Sequence, residues 1–484
     1  MGQQPPSQHP LFITGFSLEK RIRRDHPLRK IAEVVDFDFI YEEVEDKYGK
    51  KGNVSIPPPV ILKLMLLLVF YNVRSERELM LTLPERLDWL WFLGYDLESA
   101  IPNHSVLSKA RKRWGEDVFR RTFERIVYQC VEQGLVDGSK IFVDSSLVEA
   151  DASQDSIIDI SKLKNHLTDQ YRQLEKRLEE QPSARRVGPE TQVNDKLVSS
   201  TDPDASIVKR GESKLRYQTH RVTDRSGVIT ATDMTPGDVN EGSLLMELAE
   251  QHTAVTGIPV ETAVADSKYG TKENYLACYE AGIVAHIPEF KEGSDKRYKK
   301  RGLFMADEFK YDSARDVYVC PAGRDLKPRT IHKNRQQTEY MAAKNECAAC
   351  PLREKCTKSK TARTVMRHLR QEELDKMTLA ASTKESKRDL RIRQIVIEGS
   401  FGQSTRYGYK RARWRRLWRL AIQNYLVCIV QNIQKLIKYA GKPAQAAATA
   451  GRMTAFAELS ALLRLFFPYG RMDVCLVSSD ASLC

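Results

Sequence analysis

The spacing of apolar residues changes at Gly138. Upstream, from about Pro57 to Leu135, "VILKLMLLLVFYNV", "SERELMLTL", "ERLDWLWFLG", "SVLSKARKRWG" and "DVFRRTFERIVYQCVEQGL" repeat with helical period. Downstream, "KIFVD", "LRYQTHRV", "GVITATDM", "VETAVAD" and "IVAHIP" are short β-prone runs, and helical stretches at "EGSLLMELAEQH" and "TKENYLACYEAG" separate the later ones. A chain patterned in this way predicts a helical domain followed by a mixed α/β sheet. The helical domain is expected over 1–136 and the first part of the sheet over 137–288.

Within the helical half, the apolar run from Val60 to Tyr71 follows Pro57 to Pro59, carries Lys63 and is too short to span a bilayer, so it predicts a buried helix and no membrane partner. Ser75 and Ser105 stand where helix N-caps belong. Lys109, Arg111, Lys112 and Arg113 gather on a segment suited to a recognition helix, with a solvated helix face as the plain alternative. "MGQQPPSQHPLF" lacks the charged start and apolar stretch of a secretory signal, which predicts a cytoplasmic protein with reduced thiols.

Lys and Arg number 77 against 64 Asp and Glu, a formal charge of +13 that favours a polyanionic partner, nucleic acid first. Two insertions interrupt the sheet pattern. A charged amphipathic helix is expected near 160–182, followed by a polar loop, and a cysteine-rich segment is expected over 289–383. Helix resumes over 384–441, with Gly441 as a stop signal, and the tail over 442–484 has no functional reading.

Asp144 closes the β-prone part of "KIFVDSSLVEADAS" and Asp266 ends "VETAVAD". Side chains at the carboxyl ends of strands line the ligand crevice of an open α/β sheet, so the two aspartates are expected to converge. Glu398 lies beside Ile395, Val396 and Ile397 in "RQIVIEGSFGQ", where a lone carboxylate is partly desolvated. Three such carboxylates suit two Mg²⁺ or Mn²⁺ ions, hard cations that take oxygen ligands. Taken singly, each aspartate also reads as a turn or cap residue, and Glu398 as a partner for Arg393 or Arg406.

Of nine cysteines, Cys320, Cys347, Cys350 and Cys356 are grouped as C-x26-C-x2-C-x5-C. The C-x2-C knuckle supplies two thiolates from one turn, and two more complete a tetrahedral structural Zn²⁺ site, with His332 and His368 as substitute ligands. Reduced thiols or a redox pair are the other reading. The segment "RYGYKRARWRRLWRL" sets Arg406, Lys410, Arg411, Arg413, Arg415 and Arg416 among aromatic residues on an expected basic helix that grips DNA phosphate. Trp414 and Trp418, four apart, are expected to pack on the core. Lys268, next to Asp266, is a further phosphate candidate, and Tyr269 could stack on a base.

These segments resemble the DDE transposases of bacterial insertion sequences, most closely the group named after insertion sequence eleven-eighty-two, related to the four and five groups. "IPPPVILKLMLLLVFYNVRSERELMLTL", "PNHSVLSKARKRWG", "FVDSSLVEADAS", "TPGDVNEG", "VADSKYGTKENY", "CAACPLREKCT" and "RQIVIEGSFGQ" carry the likeness. The resemblance implies a ribonuclease H-like core, with Asp144, Asp266 and Glu398 as catalytic metal ligands. It implies cleavage at terminal inverted repeats, transfer of 3′-hydroxyl ends to target DNA, a homodimer on double-stranded DNA, and action at the bacterial nucleoid. In related groups the glutamate lies in a Tyr-Arg-Glu-Lys signature. Here Arg393 stands one position farther away, an apolar residue replaces the tyrosine, and Arg406 falls one beyond the lysine position; by this partial match the resemblance implies that Arg393 and Arg406 grip DNA phosphate. A metal-dependent nuclease without strand transfer and a domesticated DNA-binding protein are the rival readings.

Overall fold

The computed structural model describes residues 17–49, 55–160, 193–290 and 300–439. The insertion helix expected near 160–182 (residue 160 aside), most of the loop after it, the stop at Gly441 and the 442–484 tail lie outside these. The first half is helical: α1 (Leu18–Arg21), α2 (Pro27–Val34), α3 (Ile40–Val44), α4 (Pro58–Phe70), α5 (Glu76–Thr82), α6 (Leu87–Leu93) and α7 (Ser105–Glu132). In α4 nearly every residue is buried, as its composition requires. The Ser75 hydroxyl accepts from the Glu78 amide and caps α5. Ser105 is instead the first residue of α7, and Asn103 Oδ1 accepts from its amide. The two helical runs expected around Gly115 are continuous in α7 except for a kink there, where φ is 74°.

After α7 come β1 (Lys140–Glu149), β2 (Ile157–Asp159), β3 (Leu197–Ser199), β4 (Ser206–Arg210), β5 (Glu212–Thr223) and β6 (Ile229–Pro236). Then follow α8 (Leu245–Thr256), β7 (Thr262–Val264), α9 (Lys272–Glu280) and β8 (Val284–His286). The central sheet runs β4-β5-β1-β7-β8, with β6 on the same edge of β5 as β4. β5 is antiparallel to β1 and to β6, whereas β1, β7 and β8 are mutually parallel. The strands of the apolar runs are all present; β2, β3 and β4 are additional.

The cysteine-rich segment builds a second sheet of β9 (Lys310–Asp312), β10 (Val317–Val319), β11 (Asp325–His332), β12 (Gln337–Ala342) and β13 (Thr364–His368), antiparallel in sequence order. Two short helices, α10 (Lys344–Ala348) and α11 (Arg353–Cys356), interrupt it, and α12 (Gln371–Ser382) leads back to the central sheet.

Side chains alternate across a strand, so Ile141 and Val143 face one way and Phe142 and Asp144 the other. The first pair packs with Leu245 and Leu248 of α8. The second lies under α13 (Lys384–Arg406), whose Ile397 packs on Phe142 and Val264. The sheet-facing positions of α13 recur every three or four residues. Asp389 pairs with Lys140 at 2.6 Å and His286 at 2.7 Å, Arg393 reaches Asp144, and Ser400 and Ser404 accept from buried Arg221. α14 (Leu417–Tyr439) is buried from Leu420 to Ile433 in one cluster with α4, α7 and residues of β5 and β6. Among the described residues no helix is long and apolar enough to cross a membrane.

The expected basic helix over 406–416 is a correction. α13 ends at Arg406 and α14 starts at Leu417. Between them the chain turns at Gly408 (φ 71°) and Arg416 (φ 83°), and is drawn beside β1, where the Glu149 amide donates to Lys410 O and the Ala412 amide to Glu149 O. Bonds to the end of β1 replace helical bonds. Trp414 therefore precedes α14, but both tryptophans pack on the core as expected.

Candidate active site

Asp144 and Asp266 are brought together by strand register. The last parallel pair of β1 and β7 is Phe142 with Val264, and each aspartate lies two residues farther on. β1 continues to Glu149 while β7 stops, so Asp144 sits mid-strand at the point where the sheet opens. Asp266 caps the short turn that follows β7, accepting from the Lys268 amide at 3.0 Å.

Asp144 is half-buried. Burial raises its carboxyl above the usual range, the Arg393 guanidinium at 2.8 Å opposes that rise, and the negative charges of Asp266 and Glu241 add to it. Arg393 is thus engaged with Asp144 rather than with Glu398. The Ser145 amide also donates to Asp144 Oδ1, at 2.8 Å.

Glu241 is the acid that sequence reasoning missed. It is 6 % exposed, so its charge needs internal partners, and it has three: the Ser145 hydroxyl, the Lys268 ammonium and Gln218 Nε2, the last at 3.2 Å. Lys268, expected to reach phosphate, is therefore tied to Glu241. Tyr269 is fully buried, which removes it as a base-stacking residue. The only signal for Glu241 was its place in "TPGDVNEG", a stretch that reads as a turn.

Glu398 lies on α13 next to Ile397 but is exposed, and among the described residues it forms no ion pair. Arg393, five residues earlier and about 140° away round the helix, is the residue of α13 that reaches Asp144, and among the described residues Asp144, Asp266 and Glu398 do not form a group that could hold a metal ion.

The basic residues after α13 divide. Arg413 donates to Val73 O, to Asn72 Oδ1 at 2.6 Å and to Tyr407 O at 3.3 Å, and burial pulls its pKa down. It is an internal strut, contrary to its expected place on a DNA face. Arg411 and Arg415 both reach Asp151, at 3.2 and 3.4 Å. The Arg416 amide donates to Asp202 Oδ1 and the Leu417 amide to Asp204 Oδ2, both at 2.9 Å, so these two acids close the start of α14. Arg406 and Lys410 are exposed and, among the described residues, without an ion pair. On α7, Arg111 is buried against Glu76 and lies 3.9 Å from the Trp414 ring, which takes it off any recognition surface.

Cys320, Cys347, Cys350 and Cys356 line one small pocket of the second lobe, and neither His332 nor His368 joins them. Burial, more than the neighbouring cysteines, raises the Cys356 thiol. Among the described residues no three His, Cys, Asp or Glu side chains stand close enough to hold a metal ion. The four thiols are gathered, then, but not drawn into a tetrahedron.

Two family models match the chain. Residues 16–113 match the transposase domain DUF772, and residues 319–437 match the transposase DDE domain. No curated protein and no solved structure matches. Asp144, Glu241 and Asp266 lie between the two matched segments, and Glu398 and the four cysteines lie within the second. A transposase domain thus lies on either side of the central sheet, and the two matches together support a DDE transposase.

Proposed function

We propose that this transposase cuts DNA at the terminal inverted repeats of its element and transfers the freed 3′-hydroxyl ends to target DNA. The observation that carries this reading is the level placement of Asp144 and Asp266 at the opening of two parallel strands, under the helix that bears Glu398. The strand sequence supports a ribonuclease H-like core: β1, β5 and β6 antiparallel in turn, then β7 and β8 parallel to β1.

Carboxylate oxygens suit Mg²⁺ or Mn²⁺, and the Arg393 guanidinium already stands as a cation against Asp144. Asp144, Asp266 and Glu398 would hold two such ions, which supply an activated water or hydroxyl and steady the leaving oxygen. The chain's own residues prepare the site. Arg393 balances Asp144, and Glu241 fixes Lys268 and Ser145 on either side of the two aspartates. Exposed Arg406 and Lys410 offer phosphate contacts on double-stranded DNA. Joining two ends in concert calls for a homodimer. A structural Zn²⁺ would draw Cys320, Cys347, Cys350 and Cys356 together and pin the second lobe.

A second reading of the third acid has its own observation: Glu241, not Glu398, is the buried neighbour of Asp144. The test is Mn²⁺-dependent cleavage and strand transfer on a labelled element end, with wild type, Asp144→Asn, Asp266→Asn, Glu398→Gln and Glu241→Gln. The first three variants are expected to bind DNA and lose both reactions by at least about 100-fold. Activity surviving Glu398→Gln but not Glu241→Gln moves the third ligand to Glu241. Cutting without joining identifies a nuclease, and function untouched by Asp144→Asn identifies a DNA-binding protein with structural acids.

A further inference from the structure

The cysteine-bearing lobe holds much of the chain's positive charge. Residues 300–368 contain sixteen Lys and Arg against eight Asp and Glu, an excess of eight where the whole chain has thirteen. The excess is not spread evenly. β10 pairs with β11 only at Leu326 and Asp325, while β12 follows β11 on to His332, so one edge of β11 is open from Lys327 onward. Lys327 to Ile331 are exposed along it, and a bulge leaves Arg329 without a partner on β12.

Beside this edge lies an open groove of about 890 Å³ lined by Arg315, Arg324, Lys327, Arg329 and Lys344, with Asp325 and Glu346. Arg315 is bound to Asp312 at 2.7 Å and to Asp325 at 2.9 Å, which accounts for one of the two acids. Among the described residues, Arg324, Lys327, Arg329 and Lys344 form no ion pair. Lys, Arg and Pro on an open strand edge also discourage edge-to-edge pairing, which explains Lys327, Pro328 and Arg329. It does not explain Arg324, in the turn before β11, or Lys344, the first residue of α10. Cations from three elements converge on one groove with a single unpaired acid among them.

We infer that this groove binds the sugar-phosphate backbone of duplex DNA, through charge and without reading bases. It is a phosphate-binding site separate from the carboxylates of the central sheet and from the basic segment after α13. The inference rests on the transposase reading for the identity of the polyanion.

The test measures affinity of the full chain for a duplex carrying an element end, by fluorescence anisotropy from 50 to 200 mM salt. Each lost phosphate contact makes the slope of log K against log salt shallower by about 0.9. Lys327→Ala/Arg329→Ala/Lys344→Ala is expected to bind roughly tenfold more weakly at 0.1 M salt, with a slope shallower by about 2 to 3. Lys327→Gln alone should shift it by about 0.9 with thermal unfolding unchanged. Lys333→Ala/Arg335→Ala/Lys358→Ala removes equal charge outside the groove and should move the slope by less than half as much. The inference is overturned if the groove variant superimposes on wild type or if the control variant loses as much. Wild type that binds no duplex at all overturns the transposase reading together with it.

Discussion

Asp144 is a partly desolvated carboxylate with two acids nearby and one guanidinium against it. Replacing Arg393 with Gln removes the only cation bound to it among the described residues, so the metal-free protein is expected to lose about 1–3 kcal/mol of stability. Millimolar Mn²⁺ should restore part of the loss in thermal denaturation, and a deficit identical with and without Mn²⁺ would argue that no ion replaces the guanidinium. Glu116 gives a pH prediction away from the site. Burial first, and the charges of Asp233 and Asp117 after it, raise its pKa from 4.5 to about 7. Between those values the folded chain holds a proton that the unfolded chain has released, so stability falls as pH rises through that window. Glu116→Gln should therefore stabilise by roughly 2 kcal/mol above pH 7 and by nothing below about pH 4.5, checked by urea denaturation at pH 4 and pH 8. Asp144 and Asp266 were legible in the sequence because an acid at the end of a β-prone run marks where a sheet stops covering its own edges. Glu241 was not, because its role depends on a turn folding back beside Ser145, 96 positions away.

The elements of the central sheet were legible for a similar reason: β1, β5, β6, β7 and β8 are all apolar enough to announce themselves. β9 to β13 were missed because β9, β10 and β13 are only three to five residues long and β11 is polar and largely exposed, so their small shared core of Tyr318, Leu326, Tyr340 and Val365 leaves no sustained apolar period. The segment after α13 misled for the opposite reason. Its Arg and Trp content reads as helix, yet backbone bonds to Glu149 and two positive φ angles break it. α14 restarts only where Asp202 and Asp204 satisfy its first amides, a long-range cap that local sequence cannot reveal. Asp202 also accepts from the Tyr217 hydroxyl at 2.8 Å. Asp202→Ala is expected to destabilise the protein by about 1–3 kcal/mol, read as a lower urea midpoint at an unchanged m-value, because it orphans buried donors.

Across the whole molecule, α14 is the piece that the early helices and the sheet share: α4, α7 and β6 all pack on it. A fragment of residues 1–136 leaves exposed the apolar surfaces that Leu420, Leu426 and Ile429 cover in the full chain. Such a fragment is expected to be helical by far-ultraviolet circular dichroism but to give a poorly dispersed amide spectrum. A well-dispersed spectrum would show that the early helices fold without α14. The order of synthesis makes this arrangement matter. A ribosome has translated more than 400 residues before the helix that completes the core of the early helices exists, so the nascent chain must keep its opening segments from aggregating while it waits. A chain released early by a nonsense codon is then left without a closed core, and the cell's proteases, rather than a half-functional DNA binder, receive the product.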